Sequence, residues 1–252
     1  MPIRTTENPE ILNTMGIHLF HFSTSNCSMR VRLVLEEKKL PWVDRFVDLR
    51  KQENLTEEYF AIHPQGLVPA IIHDGTIVYE SADILLYLEE HFPEIPMIPS
   101  DPARRAEMHE WLEWTRVNHM RAIKTWAYGR NNKPTKTPES MKLLEALQKD
   151  QDIVDFHKVT LSEGGIPEEK IQEAEKMLLD AFSKIESNLE NHEFILGDHV
   201  TLADIAWIPQ YSLLQRNNFP FEQFPNIMAW VARWKQRPSY KEAVVKWMPG
   251  AA

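Results

Sequence analysis

Ser23-Thr24-Ser25-Asn26-Cys27-Ser28-Met29-Arg30-Val31-Arg32-Leu33 is the stretch on which the reading of this chain turns. An apolar run at 17–22 precedes it and reads as a strand. Residues 29–37 follow, with Val31, Leu33, Val34 and Leu35 as a helix-like apolar stripe. A hydroxyl-rich turn between strand and helix sets side chains and unsatisfied backbone N–H groups at a helix N-terminus. Such a position favours an anion through those donors and the helix dipole. The anion suggested here is a thiolate: Ser25 can donate a hydrogen bond to one, and Cys27 can be one. The same residues also read as plain capping, because Ser and Asn cap helices widely and a lone Cys commonly packs as a small apolar residue.

The segment downstream weighs on that choice. His63-Pro64-Gln65-Gly66-Leu67-Val68-Pro69-Ala70-Ile71-Ile72 runs into His73-Asp74-Gly75 and then Thr76-Ile77-Val78-Tyr79-Glu80-Ser81. Asp74-Gly75 between two β-branched runs signals a hairpin. Pro69 cannot donate to a ladder and is expected at a strand's edge or start. Ser81 is a natural cap for the apolar-periodic segment of Ile84, Leu85, Tyr87 and Leu88. The first ninety or so residues thus read strand, helix, strand, helix, strand, strand, helix.

That order, with Ser-x-Cys-Ser-x-Arg-Val-Arg, Val-Pro and Glu-Ser, resembles the thioredoxin-like domain of the glutathione transferase superfamily, and the resemblance covers nearly the whole chain. It implies an α/β domain of order βαβαββα followed by an all-α helical bundle, with glutathione as cosubstrate. By the same resemblance the Val68–Pro69 bond is cis and the Val68 backbone pairs with the cysteinyl part of glutathione, while Glu80 and Ser81 grip its γ-glutamyl group. Asn26, Leu67 and Pro69 join that expected binding set. The physics agrees, since a helix N-terminus and a hydroxyl suit a carboxylate and an acidic side chain suits an ammonium. Leu67 departs from the pattern: many relatives carry Lys, Gln or His there.

The second half adds Thr201-Leu202-Ala203-Asp204 ahead of Ile205, Ala206, Trp207 and Ile208, a Thr-x-x-Asp cap before an apolar run. With the preceding Phe194-Ile195-Leu196-Gly197-Asp198 it resembles the capping box of the transferases' helical domain. Four prolines within 92–102 mark a linker. The expected division is an extension over 1–16, disordered or draped on the surface, then a glutathione-binding domain over 17–92, a linker over 93–102 and a helical domain over 103–252. Helical periodicity predicts segments at 104–126, 139–156, 167–189, 202–216 and 224–235.

Within the helical half, Trp111, Trp114, Met120, Trp126 and Tyr128 form an aromatic-rich run ending at residues 129–134. Trp111 and Trp114 at helical spacing read as core. Trp126 and Tyr128 read as walls of an electrophile pocket, residues 129–134 as its mobile lip, and Arg130 as an anchor for an anionic substrate group.

Composition limits the alternatives. The chain has 252 residues, 28 basic against 37 acidic, and a net charge of −9, which argues against nucleic acid or anionic membranes as partners. Its one cysteine excludes an intrachain disulfide and suits a reducing cytoplasm. No apolar run approaches transmembrane length, and residues 1–16 lack the apolar core of a signal peptide. His18, His21 and His63 show no metal-ligand spacing, so no metal is expected.

Free thiols have a pKa near 8.5, so a site that favours the thiolate by one unit, about 1.4 kcal/mol, multiplies the nucleophile several-fold. The expected function is a glutathione transferase or lyase that directs the thiolate at an aromatic or halogenated electrophile, with Ser25 and Cys27 catalytic. The spacing around Cys27 is similar to zeta-type maleylacetoacetate isomerases and tetrachlorohydroquinone dehalogenases. The long helical half is more similar to the dehalogenases and to bacterial β-etherases. Reductive or ether-cleaving chemistry using Cys27, and a non-catalytic ligand-binding role, are the alternatives. The resemblance also implies a homodimer.

Overall fold

The computed structural model describes residues 3–4, 7–131, 134 and 136–248. They form two compact units. One holds the chain up to Ile98 together with the residues from Trp234 on, and the other is Pro99–Arg233.

The first unit is built on a five-stranded sheet of order β1-β5-β4-β2-β3, formed by β1 (Ile3–Arg4), β2 (Ile17–His21), β3 (Trp42–Phe46), β4 (Ala70–His73) and β5 (Thr76–Tyr79). β2 and β3 are parallel, and the other pairings are antiparallel. Register sets the faces, because alternate residues point to opposite sides. Leu19, Ile71 and Val78 lie in one cross-strand row and are fully buried. Phe20, Ile72 and Ile77 share the opposite face and pack with Ile11 and Ile62. Asp74 and Gly75 both take positive φ (47° and 78°), which fits a two-residue primed hairpin turn between β4 and β5.

Helices α2 (Asn26–Glu37) and α4 (Ser81–His91) pack together, and α4 lies on β4 and β5. This is the strand and helix order expected, with two additions at the start. α1 (Pro9–Leu12) begins with Pro9 behind the Asn8 cap. Its Ile11 fills the outer face of the sheet, and Ile3–Arg4 pairs with Ile77 and Val78. The expectation of a disordered or merely draped leader is thereby corrected for its described residues: burial of Ile11 and a ladder hold it. α3 (Glu57–Ile62), capped by Thr56, leads into the Val68–Pro69 segment.

The second unit is helical: α5 (Pro102–Val117), a π-helical turn (His119–Lys124), α6 (Thr125–Gly129), α7 (Pro138–Leu147), α8 (Gln151–Leu161), α9 (Glu168–Asn188), α10 (Leu202–Gln215) and the greater part of α11 (Pro225–Gln236). Trp207, fully buried, meets Trp111 edge-on at 5.2 Å, Trp114 at 4.9 Å and Phe182 edge-on at 5.3 Å. Asp204 closes the capping box of α10. It accepts from the Thr201 amide and hydroxyl, the Ile195 amide and the Trp230 indole, each at 2.9 Å.

Two helical segments differ from the periodicity, and one grouping differs from the expected domain division. The segment 104–126 is interrupted by the π-helical turn, where the Thr125 hydroxyl takes the Met120 carbonyl at 2.8 Å. The segment 139–156 splits because the Asp150 carboxylate caps Asp152 and starts a new helix. Residues from Trp234 on, including α12 (Pro238–Ala243), group with the first unit rather than the helical one, because α12 packs on α2. No helix among the described residues is long and apolar enough to cross a membrane.

Candidate glutathione site

Ser25 sits at the N-cap of α2 with extended backbone (φ −68°, ψ 117°), and its Oγ accepts from the Ser28 amide at 3.2 Å. The capping role is therefore real, and it leaves the hydroxyl proton of Ser25 for another acceptor. Phe22 N–H donates to Ser28 Oγ at 3.3 Å, which ties the end of β2 into the same turn. Cys27, on the first turn of α2, is half-buried. Asn26 is only 3% exposed, so it offers almost no surface to a ligand, contrary to the expected contact.

Beneath this turn Arg30 is 1% exposed and donates from Nη1 to Ser81 Oγ at 3.1 Å. Burial holds its pKa below the ordinary guanidinium value, while Cys27 and Glu80 act in the opposite sense. The link brings the first turns of α2 and α4 together, so Ser25, Cys27, Glu80 and Ser81 belong to one neighbourhood. Glu80 precedes α4 at φ 68°, a left-handed conformation that a non-glycine residue adopts at a cost. Its side chain does not cap α4. The first-turn amides of that helix are thus not satisfied by its own N-cap side chain, which suits an incoming carboxylate.

The Val68–Pro69 bond is cis. Pro69 is buried, and Val68 lies just ahead of the ladder, whose register begins at Ala70. The Val68 amide and carbonyl are consequently outside strand pairing. The approach is fixed by Tyr59, whose hydroxyl donates to the Leu67 carbonyl at 2.7 Å, and by Asn54, whose Nδ2 donates to the Gly66 carbonyl at 2.7 Å. Gly66 has φ 58°, and a Cβ there would lie 2.7 Å from the Phe60 ring. Only glycine fits that bend without displacing Phe60. Leu67 leaves its side chain 36% exposed, so its carbonyl is engaged and its apolar end is not.

These residues fit glutathione: a hydroxyl at one helix N-terminus, a carboxylate and a hydroxyl at another, and the Val68 backbone outside strand pairing just ahead of β4. Among the described residues no group of three or more His, Cys, Asp or Glu is placed to hold a metal.

The helical unit places the other expected residues differently. Trp126 is 2% exposed and packs edge-on against Phe219 at 5.0 Å, so it is core and not an accessible wall. Arg130 is held by Glu175 and, at 3.2 Å, by Glu168, which occupy its charge and correct the picture of an anchor awaiting an anion. Of the segment 129–134, residues 132–133 lie outside the described ones. Tyr128 is half-buried, with Phe156 edge-on at 6.2 Å and the Lys124 ammonium 5.1 Å from its ring centroid. His157, beside Phe156, is pushed to about 3 by burial, then by Lys136 and Lys124, and so stays neutral. Lys136 is itself lowered, first by burial and then by Lys124. This gathering of Lys124, Lys136 and His157 next to two aromatic rings was missed from sequence. Its only sequence signal is Lys124 four residues before Tyr128.

Comparison with known proteins agrees with the geometry. Residues 19–96 match the family model described as "Glutathione S-transferase, N-terminal domain" and residues 135–238 that of the C-terminal domain. The chain is 28% identical over 235 residues to a zeta class glutathione S-transferase of Euphorbia esula, covering 92% of this chain and 91% of that one. It is 30% identical over 243 residues to Protein LigF of Sphingobium sp., covering 92% and 94%. The crystal structure titled as the beta-etherase LigF of that organism superposes with a TM-score of 0.79 at 27% identity, over 91% of this chain and 98% of the other. With its cap, cis proline and paired helix N-termini in place, the chain belongs to the glutathione S-transferase family and is a glutathione-dependent enzyme of that family.

Proposed function

We propose that the enzyme binds glutathione along Ser25, Val68, Glu80 and Ser81 and turns its thiolate on an aromatic substrate, displacing an aryloxide. The observation that carries this reading is the Ser25 geometry. Its Oγ is fixed by the Ser28 amide, which spends a lone pair and leaves the O–H for the sulfur. The helix N-terminus adds a favourable field for the negative charge. In the reaction a C–S bond forms while the C–O bond breaks. The aryloxide leaves with the bonding electrons and takes up the proton the thiol gave up, so no oxidant or reductant is needed.

Two further observations support an aryl ether over other electrophiles. One is the likeness in sequence and structure to a protein titled a beta-etherase. The other is the Tyr128–Phe156 pair with Lys124 and Lys136 nearby, which suits a ring carrying a carboxylate or phenolate. A homodimer in the cytoplasm is part of the same reading, checked by sedimentation at micromolar concentration.

The test is turnover with glutathione against a β-aryl ether, a halohydroquinone and a maleyl substrate in parallel. The expected result is phenol release with a glutathionyl product from the ether. Ser25→Ala should lower kcat by about two to three orders of magnitude, as loss of a catalytic donor does. Absence of any glutathionyl product from the ether would overturn the proposal.

A further inference from the structure

Arg32 is fully buried, yet among the described residues none of its hydrogen-bond acceptors is a carboxylate. Neutral acceptors surround it instead. Its Nε donates to the Ala243 carbonyl at 2.7 Å and Nη2 to the Ser23 carbonyl at 2.9 Å. Nη1 serves both His21 Nδ1 at 2.9 Å and the Phe22 carbonyl at 3.2 Å. Four of the five guanidinium N–H groups are thereby engaged. Two of those acceptors, Phe22 and Ser23, are the residues that lead from β2 into Ser25.

The C-terminal residues supply much of what holds this cation. Trp247 lies with its ring centroid 5.2 Å from the Arg32 guanidinium carbon and meets the His21 ring edge-on at 4.5 Å. At the other end of α2, Arg237 forms a two-pronged pair with Glu37, at 2.7 and 2.6 Å, and Ser239 also donates to Glu37. All of these residues belong to the first unit. The His21 tautomer follows from its neighbours. Nδ1 accepts from Arg32, so Nε2 carries the proton and donates to Asp44 Oδ1 at 2.9 Å.

We infer that residues 237–247 brace the turn that carries Ser25, with Arg32 as the positioning residue through which the brace acts. A guanidinium desolvated to this degree is held only while its acceptors stay in place. Loosening Trp247 and Ala243 withdraws one acceptor and one ring face, and the carbonyls of Phe22 and Ser23 lose a fixed donor. The Ser25 hydroxyl then loses its aim at the sulfur, while Val68 and Ser81, which bind the rest of glutathione, are untouched.

This inference rests on the proposed role of Ser25, and the experiment keeps the two apart. Wild type and Trp247→Ala are titrated with glutathione, reading the ultraviolet thiolate absorbance against pH, together with kcat and the glutathione KM. In wild type the bound thiol should ionise below its free value. In Trp247→Ala its apparent pKa should rise by about half a unit. kcat should fall about tenfold with KM little changed, and Trp247→Phe should restore most of both. Should Trp247→Ala be too unstable to assay, Trp247→Leu keeps bulk without the ring face and should show the same shift. A folded Trp247→Ala or Trp247→Leu with wild-type thiolate pKa and kcat would overturn the brace alone. A wild-type protein that does not lower the pKa of bound glutathione would overturn the Ser25 reading, and the brace with it.

Discussion

Arg30 donates to Ser81 Oγ at 3.1 Å, across fifty-one positions of sequence, and so locks the N-terminus of α2 to that of α4. Both helix dipoles point their positive ends at one place, with a buried cation behind them. An anionic ligand arriving there meets donors that are already oriented, and little ordering is left for binding to supply.

Ser81→Ala tests that arrangement. The variant removes the hydroxyl expected at the γ-glutamyl carboxylate and takes a hydrogen-bond partner from buried Arg30. Hydrogen bonds to charged groups contribute about 1.5–3 kcal/mol, so glutathione affinity should weaken roughly tenfold to a hundredfold. Calorimetric titration checks it, and an unchanged Kd would remove Ser81 from the site.

Asp204 gives the largest expected loss of stability. Burial raises its pKa above the usual carboxylate value, against the pull of hydrogen bonds from Ile195, Thr201 and Trp230. Asp204→Ala strands those buried donors at once and should cost about 3–5 kcal/mol. Urea unfolding should show it as a lower midpoint. A loss below about 1 kcal/mol would mean that water or rearrangement satisfies the donors.

Acid should destabilise the first unit through its buried histidines. His63 is 2% exposed, and burial holds its pKa at about 4, with its Nδ1 accepting from the Gln65 amide. The unfolded chain binds a proton near pH 6.5 that folded His63 refuses until about pH 4. Its contribution is whole above 6.5 and falls as the pH drops to 4, by about 3 kcal/mol. His21, lowered to about 4 by burial and by Arg32 against the pull of Asp44, acts in the same direction. Unfolding free energies at pH 7 and pH 4.5 should differ accordingly, and His63→Gln should flatten the slope.

What the sequence made legible was local. The Ser25 cap, the Asp74-Gly75 hairpin and the Thr201–Asp204 box each declare themselves within a few residues, because caps and turns are decided by neighbouring side chains. Arg30 and Arg32 were not legible in the same way. On sequence they look like the polar face of a helix, yet both are buried, and the Ala243 acceptor of Arg32 lies 211 residues away. The leader escaped for a different reason: a two-residue strand and a four-residue helix are too short to show periodicity. Trp126 was misplaced because a ring near a helix break can face a pocket or the core, and only the packing against Phe219 decides between them.

Cys27 separates two chemistries that one turn could support. It is half-buried on the first turn of α2, in the same turn as the Ser25 cap. In direct displacement of an aryloxide the sulfur of glutathione does the work and Ser25 steadies it. Cys27→Ser then changes little beyond packing, and kcat should stay within about threefold of wild type, less than 1 kcal/mol in the barrier. In a reductive reaction the Cys27 thiolate would instead attack the sulfur of a glutathionyl intermediate. A mixed disulfide would form, the substrate carbon would leave with the electron pair and a proton, and a second glutathione would release oxidised glutathione. Cys27→Ser would then stop after the first step, with glutathione still bonded to the product. Mass spectrometry of the variant's reaction with a halohydroquinone distinguishes the two. The expected outcome is no trapped glutathionyl intermediate there and unimpaired phenol release from the aryl ether, since the structure shows Ser25 oriented by its cap and the displacement needs no second thiol.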